Sequence, residues 1–505
     1  MKKITAILIS VLMTLSCLTF FANAAWDGTS TEAYTGSGTE ADPYIIDSPE
    51  KLAKIGEVVA GGDSLEGKYF TQTADIDLGG KEWTPIGDAT TAFSGIYNGC
   101  GHKITGFSIT QILNFTGLFG KLVAGAVEAG VCNLTIEGSI TDNGETTFGS
   151  PSVGAVVGQV NNNGAVAGKV NAVFTNIVSK VDITLNNQTQ QPRAGGLFGQ
   201  MYFAVVENCV NDGNLSTTAT KDVRLGGFTG QFARCDFKGC VNNGNVTAVT
   251  TGDVAIQVAG FAAFCTAPAK ESDGNLDSRG SVIEDSINNG NISGECSGQK
   301  GVCVAGFVGN FWTNTGASLL TIKNCLNTGK ISSKQADGGS AYSYAGGFLG
   351  NGPSSTDYVA VDNCVSTVAV TDVTSTGGNG KRAGAIAGAF YANTKEHMSI
   401  TNVVSAADET LPMGEAYKTP NQDAEKATWI YGDAAKAASR ATEIKNAIAV
   451  SLTKINGIEV TTQQQTPDPD PTPSNPTTGD GAVWFAIVGA VALLGTAVAV
   501  KARKA

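Results

Sequence analysis

The 505-residue chain carries 45 acidic against 33 basic residues, for a formal net charge of −12 at pH 7. An acidic surface of this kind argues against nucleic acid and anionic membranes as partners. Its 64 glycines, with 42% apolar but only 7% aromatic residues, favour many short strands joined by tight turns.

The N-terminus predicts a secretory signal peptide over residues 1–24. Two lysines at positions 2 and 3 precede an apolar run from Ile4 to Phe21, and the small residues Ala22 and Ala24 frame a cleavage site. We expect cleavage after Ala24 and secretion of the rest of the chain. The alternative, an N-terminal membrane anchor, is disfavoured because the apolar run is short.

Residues 25–105 are predicted to form an N-terminal cap and the first coils of a larger β fold. Ser48 is a good helix N-cap and Pro49 suits the first turn of a helix. Leu52, Ile55 and either Val58 or Val59 then recur on one face of that helix. Because an open β edge recruits other chains, we expect the helix to cover the N-terminal end of the fold.

A repeat of about 38 residues fills the chain from Thr116 to Ser405. Each copy begins with a glycine-rich segment, such as Gly195–Gly199, which we predict to be a strand. A second strand and an Asn-x-Gly corner follow, as in Val206–Leu215, and glycine is expected there because it tolerates positive φ. Stacked copies can share a core that one copy cannot form. The repeat therefore predicts an all-β fold, a parallel right-handed β-helix (β-solenoid), over residues 106–410.

One column of the repeat holds cysteine in most copies: Cys209, Cys240, Cys325 and Cys364, with Ser286 in the intervening copy. We expect stacked free thiols that pack like small apolar residues. A Cys209–Cys240 disulfide stays open, because a rung spacing of about 4.8 Å falls within the Cα spacing of disulfides, roughly 4.4–6.8 Å. No C-x-x-C pattern with partner ligands is present, so no metal site is predicted.

A candidate binding stripe follows from the same alignment. Arg193, Arg224 and Arg382 each stand three residues before the aligned glycine column, with Gln257 and Tyr344 between them. If these residues stack, they form a polar stripe that suits a glycan or protein ligand. The other interpretation is that the arginine stems only cover apolar surface.

Candidates for catalysis are few. A polysaccharide-cleaving β-helix needs two or three carboxylates close together, and Asp75 with Asp77 is the nearest approach to a pair. Glu207 and Asp362 share a repeat column with lysine and threonine, which is typical of a solvated face. We therefore predict no catalytic residues, no cofactor and no enzymatic activity. A polysaccharide lyase or glycoside hydrolase and a passive structural stalk remain as alternatives to a binding protein.

Residues 411–460 are predicted to form a C-terminal cap with a helix from Asp433 to Lys454, which we expect to lie against the second end of the β-helix. Ile444, Ile448 and Leu452 form its apolar positions. Residues 461–474 are proline-rich and predict an extended spacer.

Three features close the chain over residues 475–505. Asn475, Pro476, Thr477, Thr478 and Gly479 are followed by an apolar segment at 482–500, long enough to cross a bilayer, and by a basic tail. Together with the spacer, they resemble the LPxTG-type cell-wall sorting signal of Gram-positive surface proteins. The alternative is a permanent membrane anchor.

The sorting-signal resemblance implies that a sortase cuts between Thr478 and Gly479 and joins Thr478 to peptidoglycan. The apolar segment at 482–500 would then contact the membrane only transiently. Asn475 stands where the commonest motif has leucine, which leaves the class of sortase open.

Residues 36–405 also resemble the GLUG repeat family, named for its Gly-aliphatic-x-Gly motif. The glycine-rich segments carry the resemblance, together with the upstream stretches Asp42–Ile46, Trp83–Gly87 and Phe93–Gly99. The resemblance implies a β-helix on a bacterial surface protein but no particular chemistry. We hypothesise a cell-wall-anchored protein that acts in adhesion or in glycan or protein binding.

Overall fold

The computed structural model describes residues 26–453, apart from positions 31, 143, 145–147, 162–171, 267–279, 299, 312–318, 336–342, 353–357, 369, 376–380, 385, 390–397, 407–428 and 431–432. The predicted signal peptide with Ala22 and Ala24, the proline-rich spacer and the sorting signal with Asn475–Gly479 lie outside the described residues. No helix in the described part of the chain is long and apolar enough to span a membrane.

The repeat folds into coils whose equivalent strands pair in parallel with those of the next coil. The predicted parallel β-helix, with a helix at each end of its sequence, is therefore confirmed. Each coil contributes one strand to each of two eight-stranded sheets and several strands to a 25-stranded sheet. We call the eight-stranded sheets the before-corner and after-corner sheets, and the third the large sheet.

The before-corner strands lead into the glycine-rich corner. They are Phe115–Thr116, Ser152–Gly154, Arg193–Gly195, Val223–Gly226, Ile256–Ala259, Val302–Ala305, Ser343–Gly346 and Lys381–Gly384. The after-corner strands are Phe119–Leu122, Val157–Asn161, Phe198–Tyr202, Thr229–Ala233, Ala262–Cys265, Val308–Phe311, Leu349–Asn351 and Ala387–Ala389.

The large sheet begins with the N-terminal strands Tyr44–Ile46, Tyr69–Gln72, Ile76–Asp77, Ile96–Asn98 and Lys103–Ile109 and the long strands Ala129–Asp142 and Ala172–Gln188. In later coils it has three strand positions. The first holds Ala204–Glu207, Asp236–Lys238, Ser281–Glu284, Leu319–Lys323, Tyr358–Asp362 and Met398–Thr401. The second holds Val210–Asn211, Val241–Asn242, Ile287–Asn288, Leu326–Asn327, Val365–Ser366, Val403–Ser405 and Trp429–Ile430. The third holds Leu215–Ala219, Val246–Thr250, Ile292–Cys296, Ile331–Gln335 and Val370–Ser375.

The glycine-rich segment is a corner between two sheets, and its prediction as one strand was wrong. The before-corner strand ends at Gly195 and the after-corner strand begins at Phe198. A Cβ on Gly196 would lie 2.3 Å from the carbonyl oxygen of Gly227 and 2.4 Å from the side chain of Asn211. The glycine is therefore required because backbone and side chains of neighbouring strands approach the corner too closely for any side chain.

The left-handed residue of each coil is also not where the sequence suggested. Positive φ falls on the residue before the cysteine column, for example 56° at Asn208 and 53° at Asn324, and on Gly239 and Asp285 in two copies that lack asparagine. Asparagine tolerates this conformation better than most residues. In the Asn-x-Gly corner, Gly213 is needed for space instead, because an added Cβ would lie 2.0 Å from the carbonyl oxygen of Val181.

The interior consists of columns in which equivalent residues stack from coil to coil. Phe228, Phe261, Phe307 and Phe348 form one column, with successive ring centroids 4.8, 4.7 and 5.5 Å apart. The rings and the other buried apolar residues form one continuous cluster along the coils. The single core expected of a solenoid is therefore present.

An interior ladder of asparagine amides runs beside the aromatic column. Asn211, Asn242 and Asn288 are fully buried, and each Nδ2 donates to the Oδ1 of the asparagine in the next coil at 2.8 Å, ending on Asn327. Each Nδ2 also donates to the carbonyl oxygen two residues on, as from Asn211 to Gly213 at 3.0 Å. The stacking of asparagine over asparagine expected at this corner is thus present, and it satisfies polar groups that water cannot reach.

The cysteine column points inward as expected. Cys209, Cys240, Cys325 and Cys364 are fully buried free thiols, and Ser286 fills the fifth position. Their Sγ atoms lie near backbone carbonyls, for example 3.3 Å from Sγ of Cys209 to the oxygen of Glu207. Burial raises the pKa of the Cys240 thiol to about 12.

This burial predicts a sharp difference in thiol reactivity. At about pH 8, we expect iodoacetamide to modify the exposed Cys100 first, because the reactive thiolate is suppressed at the buried positions. Cys240 and Cys325 should react only after unfolding in guanidinium chloride. Peptide mass spectrometry measures the modification of each cysteine before and after unfolding. Fast labelling of Cys240 in the folded protein would contradict the column, and a thiol unreactive even after unfolding would indicate a disulfide.

The N-terminal helix α1 (Pro49–Ala60) has the predicted construction. Ser48 is the N-cap, and its Oγ accepts a hydrogen bond from the amide of Lys51 at 3.3 Å. Leu52, Ile55 and Val59 are fully buried. The predicted capping helix of the N-terminal segment is thus present.

The C-terminal helix α2 (Ala434–Thr453) exists as predicted but lies on the side of the β-helix, not across its end. It packs on the second-position strands of three late coils, and Arg440 donates to Asn363. Alternation along these strands turns the asparagine or serine inward and the preceding aliphatic residue, Leu326 or Val365, outward. The outward aliphatic residues form an apolar seat, where Ile444 and Ile448 of the helix are buried.

Candidate ligand-binding site

The predicted arginine stripe is an in-register column on the before-corner sheet. Arg193 pairs with Arg224 in the next coil, and Arg224 pairs with Gln257. The column then continues through Cys303 and Tyr344 to Arg382. The alignment had not included Cys303, which is buried. The column therefore contains an arginine pair at one end, well separated from Arg382.

A second polar column faces the arginines from the after-corner sheet. Gln159, Gln200 and Gln231 follow one another in register there. Because the glycine corner joins the two sheets so tightly, the columns meet side by side. We call the group formed by Arg193, Arg224, Gln200, Gln231 and Tyr202 the Arg–Gln seam.

Each arginine of the seam is held by neutral acceptors. Nη1 of Arg193 donates to Oε1 of Gln200 at 3.3 Å. Nε of Arg224 donates to Oε1 of Gln257 at 3.0 Å, and its Nη1 donates to Gln231. The guanidinium carbon of Arg224 also lies 4.2 Å from the ring centroid of Phe264. These contacts fix the position of both guanidinium groups without neutralising their charge.

Tyr202 joins the two glutamines of the seam. Its hydroxyl oxygen accepts hydrogen bonds from Nε2 of Gln231, at 2.7 Å, and from Nε2 of Gln200. Because the oxygen serves as acceptor in both, its own O–H remains a donor. Burial raises the pKa of the Tyr202 hydroxyl above its ordinary value, which keeps that proton in place.

The seam is partly buried. Gln200 and Gln231 are only 5% and 7% exposed, whereas Arg193, Arg224 and Tyr202 keep intermediate exposure. Burial, followed by the charge of Arg193, lowers the pKa of Arg224 to about 10. Arg224 therefore remains charged at neutral pH while losing much of its hydration.

The two other residues of the predicted stripe do not belong to this seam. Tyr344 is only 8% exposed, so its ring offers little surface to a ligand. Arg382 lies next to Tyr344 in register, four strands away from Arg224. The structure thus brings together Arg193 and Arg224 and separates them from Tyr344 and Arg382.

Sequence reasoning missed the glutamine column and Tyr202. A usable signal was present, because Gln200 and Gln231 each stand four residues after the aligned glycines, Gly196 and Gly227. A single strand over the glycine segment, as predicted, does not bring this position next to the arginines. Once the segment is a corner, residues three before and four after the glycine become neighbours.

The carboxylates examined for catalysis have structural partners. Oδ1 of Asp75 accepts from the amide of Lys103 at 3.0 Å and lies 3.2 Å from Nδ1 of His102, and the backbone bond to Lys103 is the main reason that the pKa of Asp75 is lowered. Oδ1 of Asp77 accepts from the amide of Gly79 at 2.9 Å. In the part of the chain that the structure describes, no group of three or more His, Cys, Asp or Glu side chains is placed to hold a metal ion.

The column of Glu207 and Asp362 is a charge ladder on the outer surface. Glu207, Lys238, Glu284, Lys323 and Asp362 follow one another in register, so acidic and basic side chains alternate. Nζ of Lys238 lies 2.9 Å from Oε1 of Glu284. Cross-strand pairs of opposite charge stabilise a sheet modestly, which agrees with the prediction of a solvated face.

Comparisons with known proteins give partial similarities. No family model matches the chain. It is 36% identical over 139 residues to a protein of Evansella cellulosilytica named as a Gly-rich membrane protein, a match covering 26% of this chain and 14% of that protein. It is 34% identical over 188 residues to a halomucin of Haloquadratum walsbyi, covering 34% of this chain and 2% of the halomucin. The chain thus spans a small part of these curated relatives.

One solved structure is also similar. It is that of a Bacteroides ovatus protein described as an immunoglobulin A1 protease, with 14% sequence identity and a TM-score of 0.38. The alignment covers 82% of this chain and 89% of that one. A likeness at this TM-score carries no argument about function.

Proposed function

We propose that this chain is a secreted surface protein, anchored to the Gram-positive cell wall, whose β-helix binds a glycan or protein ligand. The observation that carries the proposal is the Arg–Gln seam. Where the before-corner and after-corner sheets join, it places two fixed guanidinium groups and a hydroxyl donor together at partial exposure. A passive stalk has no need of such a group.

Surface location is supported by several independent features. The signal peptide and sorting signal of the sequence lead the chain out of the cell and onto peptidoglycan. The partial relatives are named a membrane protein and a halomucin, which agrees with such a location. A stack of coils with one shared core also suits a protein that holds a ligand-binding wall away from the cell.

The binding proposal is tested with the purified full-length chain on an array of glycans and host proteins. We expect at least one ligand to bind, and the binding to weaken when Arg193 is replaced by glutamine. The same glycans are assayed for cleavage. Absence of any ligand would support the passive stalk, and cleavage of any glycan would support the alternative of a polysaccharide-degrading enzyme.

The anchoring proposal predicts a clear difference between two neighbouring threonines. In a Gram-positive host with its sortase, Thr478→Ala should abolish covalent attachment to peptidoglycan, because the motif requires a threonine side chain at the residue whose carbonyl would form the new amide bond. Thr477→Ala, at the variable position of the motif, should leave attachment intact. Digestion of the cell wall with muramidase, followed by immunoblotting of the released protein, shows which of the two variants is attached to peptidoglycan. Equal release of both variants would contradict sortase anchoring.

A further inference from the structure

We propose that the paired guanidinium groups of Arg193 and Arg224 form an anion site that takes a carboxylate or sulfate group of an acidic saccharide. The inference rests on the proposed binding function and names the ligand class. A carboxylate and a sulfate offer the same chemistry, because each is a compact group of oxygen atoms that shares one or more negative charges. Arginine is the side chain best suited to bind such a group, because its donors lie in a planar fork.

The first argument is the repetition of positive charge on adjacent rungs. Arg193 and Arg224 are direct partners in a parallel pair, so their strands lie about 4.8 Å apart. Like charges directly opposite one another destabilise a sheet. On the large sheet the chain avoids that cost by alternating signs, as at Glu207, Lys238 and Glu284.

The second argument is that, among the described residues, the side chains hydrogen-bonded to the two guanidiniums are all neutral. The partners of both guanidiniums are the neutral side chains of Gln200, Gln231 and Gln257. The nearby carboxylate of Asp222 stabilises the charge of Arg224 only through space, and its Oδ1 accepts from the amide of Ala255 at 2.9 Å. Partly desolvated cations without a carboxylate partner favour an external anion.

The third argument is that donors remain available at the seam. Nε of Arg193 is buried and has no hydrogen-bond partner, and the hydroxyl proton of Tyr202 is not used by its two glutamine neighbours. A buried polar atom without a partner is uncommon in folded proteins and calls for an explanation. A saccharide that carries an anionic group beside hydroxyl groups would supply acceptors for the guanidiniums and for Tyr202 together.

The fourth argument is preorganisation. Glutamine acceptors hold both guanidiniums, and the ring centroid of Phe264 lies 4.2 Å from the guanidinium carbon of Arg224. A binding group whose rotamers are already fixed loses little conformational entropy when the ligand arrives. Burial, followed by the charge of Arg193, lowers the pKa of Arg224 to about 10, and a bound anion would stabilise its charged form.

The test is isothermal titration calorimetry of the purified full-length chain with four small probes. Galacturonate and glucose 6-sulfate carry the two anionic groups, and galactose and glucose are their neutral counterparts. We expect one or both anionic probes to bind and the neutral sugars not to bind. Comparison of the affinities for the two anionic probes shows whether the site prefers a carboxylate or a sulfate group. Equal affinity for charged and neutral sugars, or no binding of either anion, would overturn the proposal.

Variants distinguish anion binding at this site from a general effect of positive charge on the protein surface. Arg193→Gln and Arg224→Gln should each weaken anion binding by about tenfold or more, the effect of losing a charge-assisted hydrogen bond. Lys323→Gln, which removes the same charge from an exposed position on the large sheet, should leave it unchanged. Arg193→Lys keeps the charge in case the glutamine variants fold poorly, and it should retain measurable binding. Unchanged affinity in a folded Arg193→Gln variant would overturn the proposal.

These outcomes are distinguishable from failure of the proposed function itself. If an array ligand binds but neither arginine variant affects it, the chain is a binding protein and the anion site is wrong. If the anionic probes bind through Arg193 and Arg224 but no glycan or protein on the array is captured, the anion site stands and the broader proposal fails.

Discussion

Replacing the buried Asn242 with alanine is expected to lower the free energy of unfolding by about 4 kcal/mol. The substitution removes the donor to Oδ1 of Asn288, the donor to the carbonyl oxygen of Gly244 and the acceptor for Nδ2 of Asn211. All three bonds lie in the interior, where water cannot replace the lost partner. Each unsatisfied buried group costs about 1–3 kcal/mol, and equilibrium urea unfolding measures the sum.

The adjacent residue provides a matched control. Asn243 also belongs to a cross-coil ladder, with Nδ2 donating to Asp212 and Oδ1 accepting from Asn289, both at 2.8 Å. It is only partly buried, so water can replace the lost bonds, and Asn243→Ala should cost less than about 1 kcal/mol. The loss of stability caused by Asn242→Ser should fall between those of the two alanine variants, since serine fills this column at Ser366. Equal effects of Asn242→Ala and Asn243→Ala would contradict a functioning interior ladder.

Gly244→Ala is expected to destabilise the protein by about 3 kcal/mol or more. An added Cβ would lie 1.8 Å from the carbonyl oxygen of Gly213, a backbone atom that cannot rotate away. Relieving the overlap requires the two coils to separate, which weakens the Asn211–Asn242 bond at the same corner. The melting temperature should fall accordingly, and differential scanning calorimetry measures the change.

Gly149→Ala is the matched control for this steric effect. Nothing lies within 4 Å of a Cβ built on Gly149, and its φ is not in the left-handed region. The alanine variant should therefore have stability equal to or slightly above that of the parent, because alanine restricts the unfolded chain. A Gly244→Ala variant as stable as Gly149→Ala would mean that successive coils do not approach as closely as the structure shows.

The columns of the β-helix could be predicted because a solenoid converts a sequence period directly into spatial neighbours. Cys209 and Cys240 lie in one inward column, and Asn211 and Asn242 lie in another, as their equivalent positions in the repeat required. The helix capped by Ser48 was likewise predictable from local signals. In each case the signal is either an equivalent position in the next repeat or a set of residues within one helix.

Features that depend on contacts between different parts of one coil were not predictable in the same way. The corner at Gly196 follows from the approach of Asn211 and Gly227 from other strands, which a local pattern does not contain. The Arg–Gln seam depends on that corner, so Gln200 and Tyr202 were missed. The C-terminal helix shows the same limit: its apolar residues were evident, but the outward orientation of Leu326 and Val365 was needed to place it.

The central claim is that equivalent residues of successive repeats lie one rung apart in a single stack. Distance measurement by double electron–electron resonance tests it directly, with nitroxide labels on Thr175→Cys and Asp362→Cys after replacement of the accessible Cys100 and Cys132 by serine. These labelled positions occupy one outer column, five rungs apart. The structure predicts a narrow distribution of distances between the two labels, centred at about 24 Å. A broad distribution, or one centred well beyond about 35 Å, would contradict the stack and every column that depends on it.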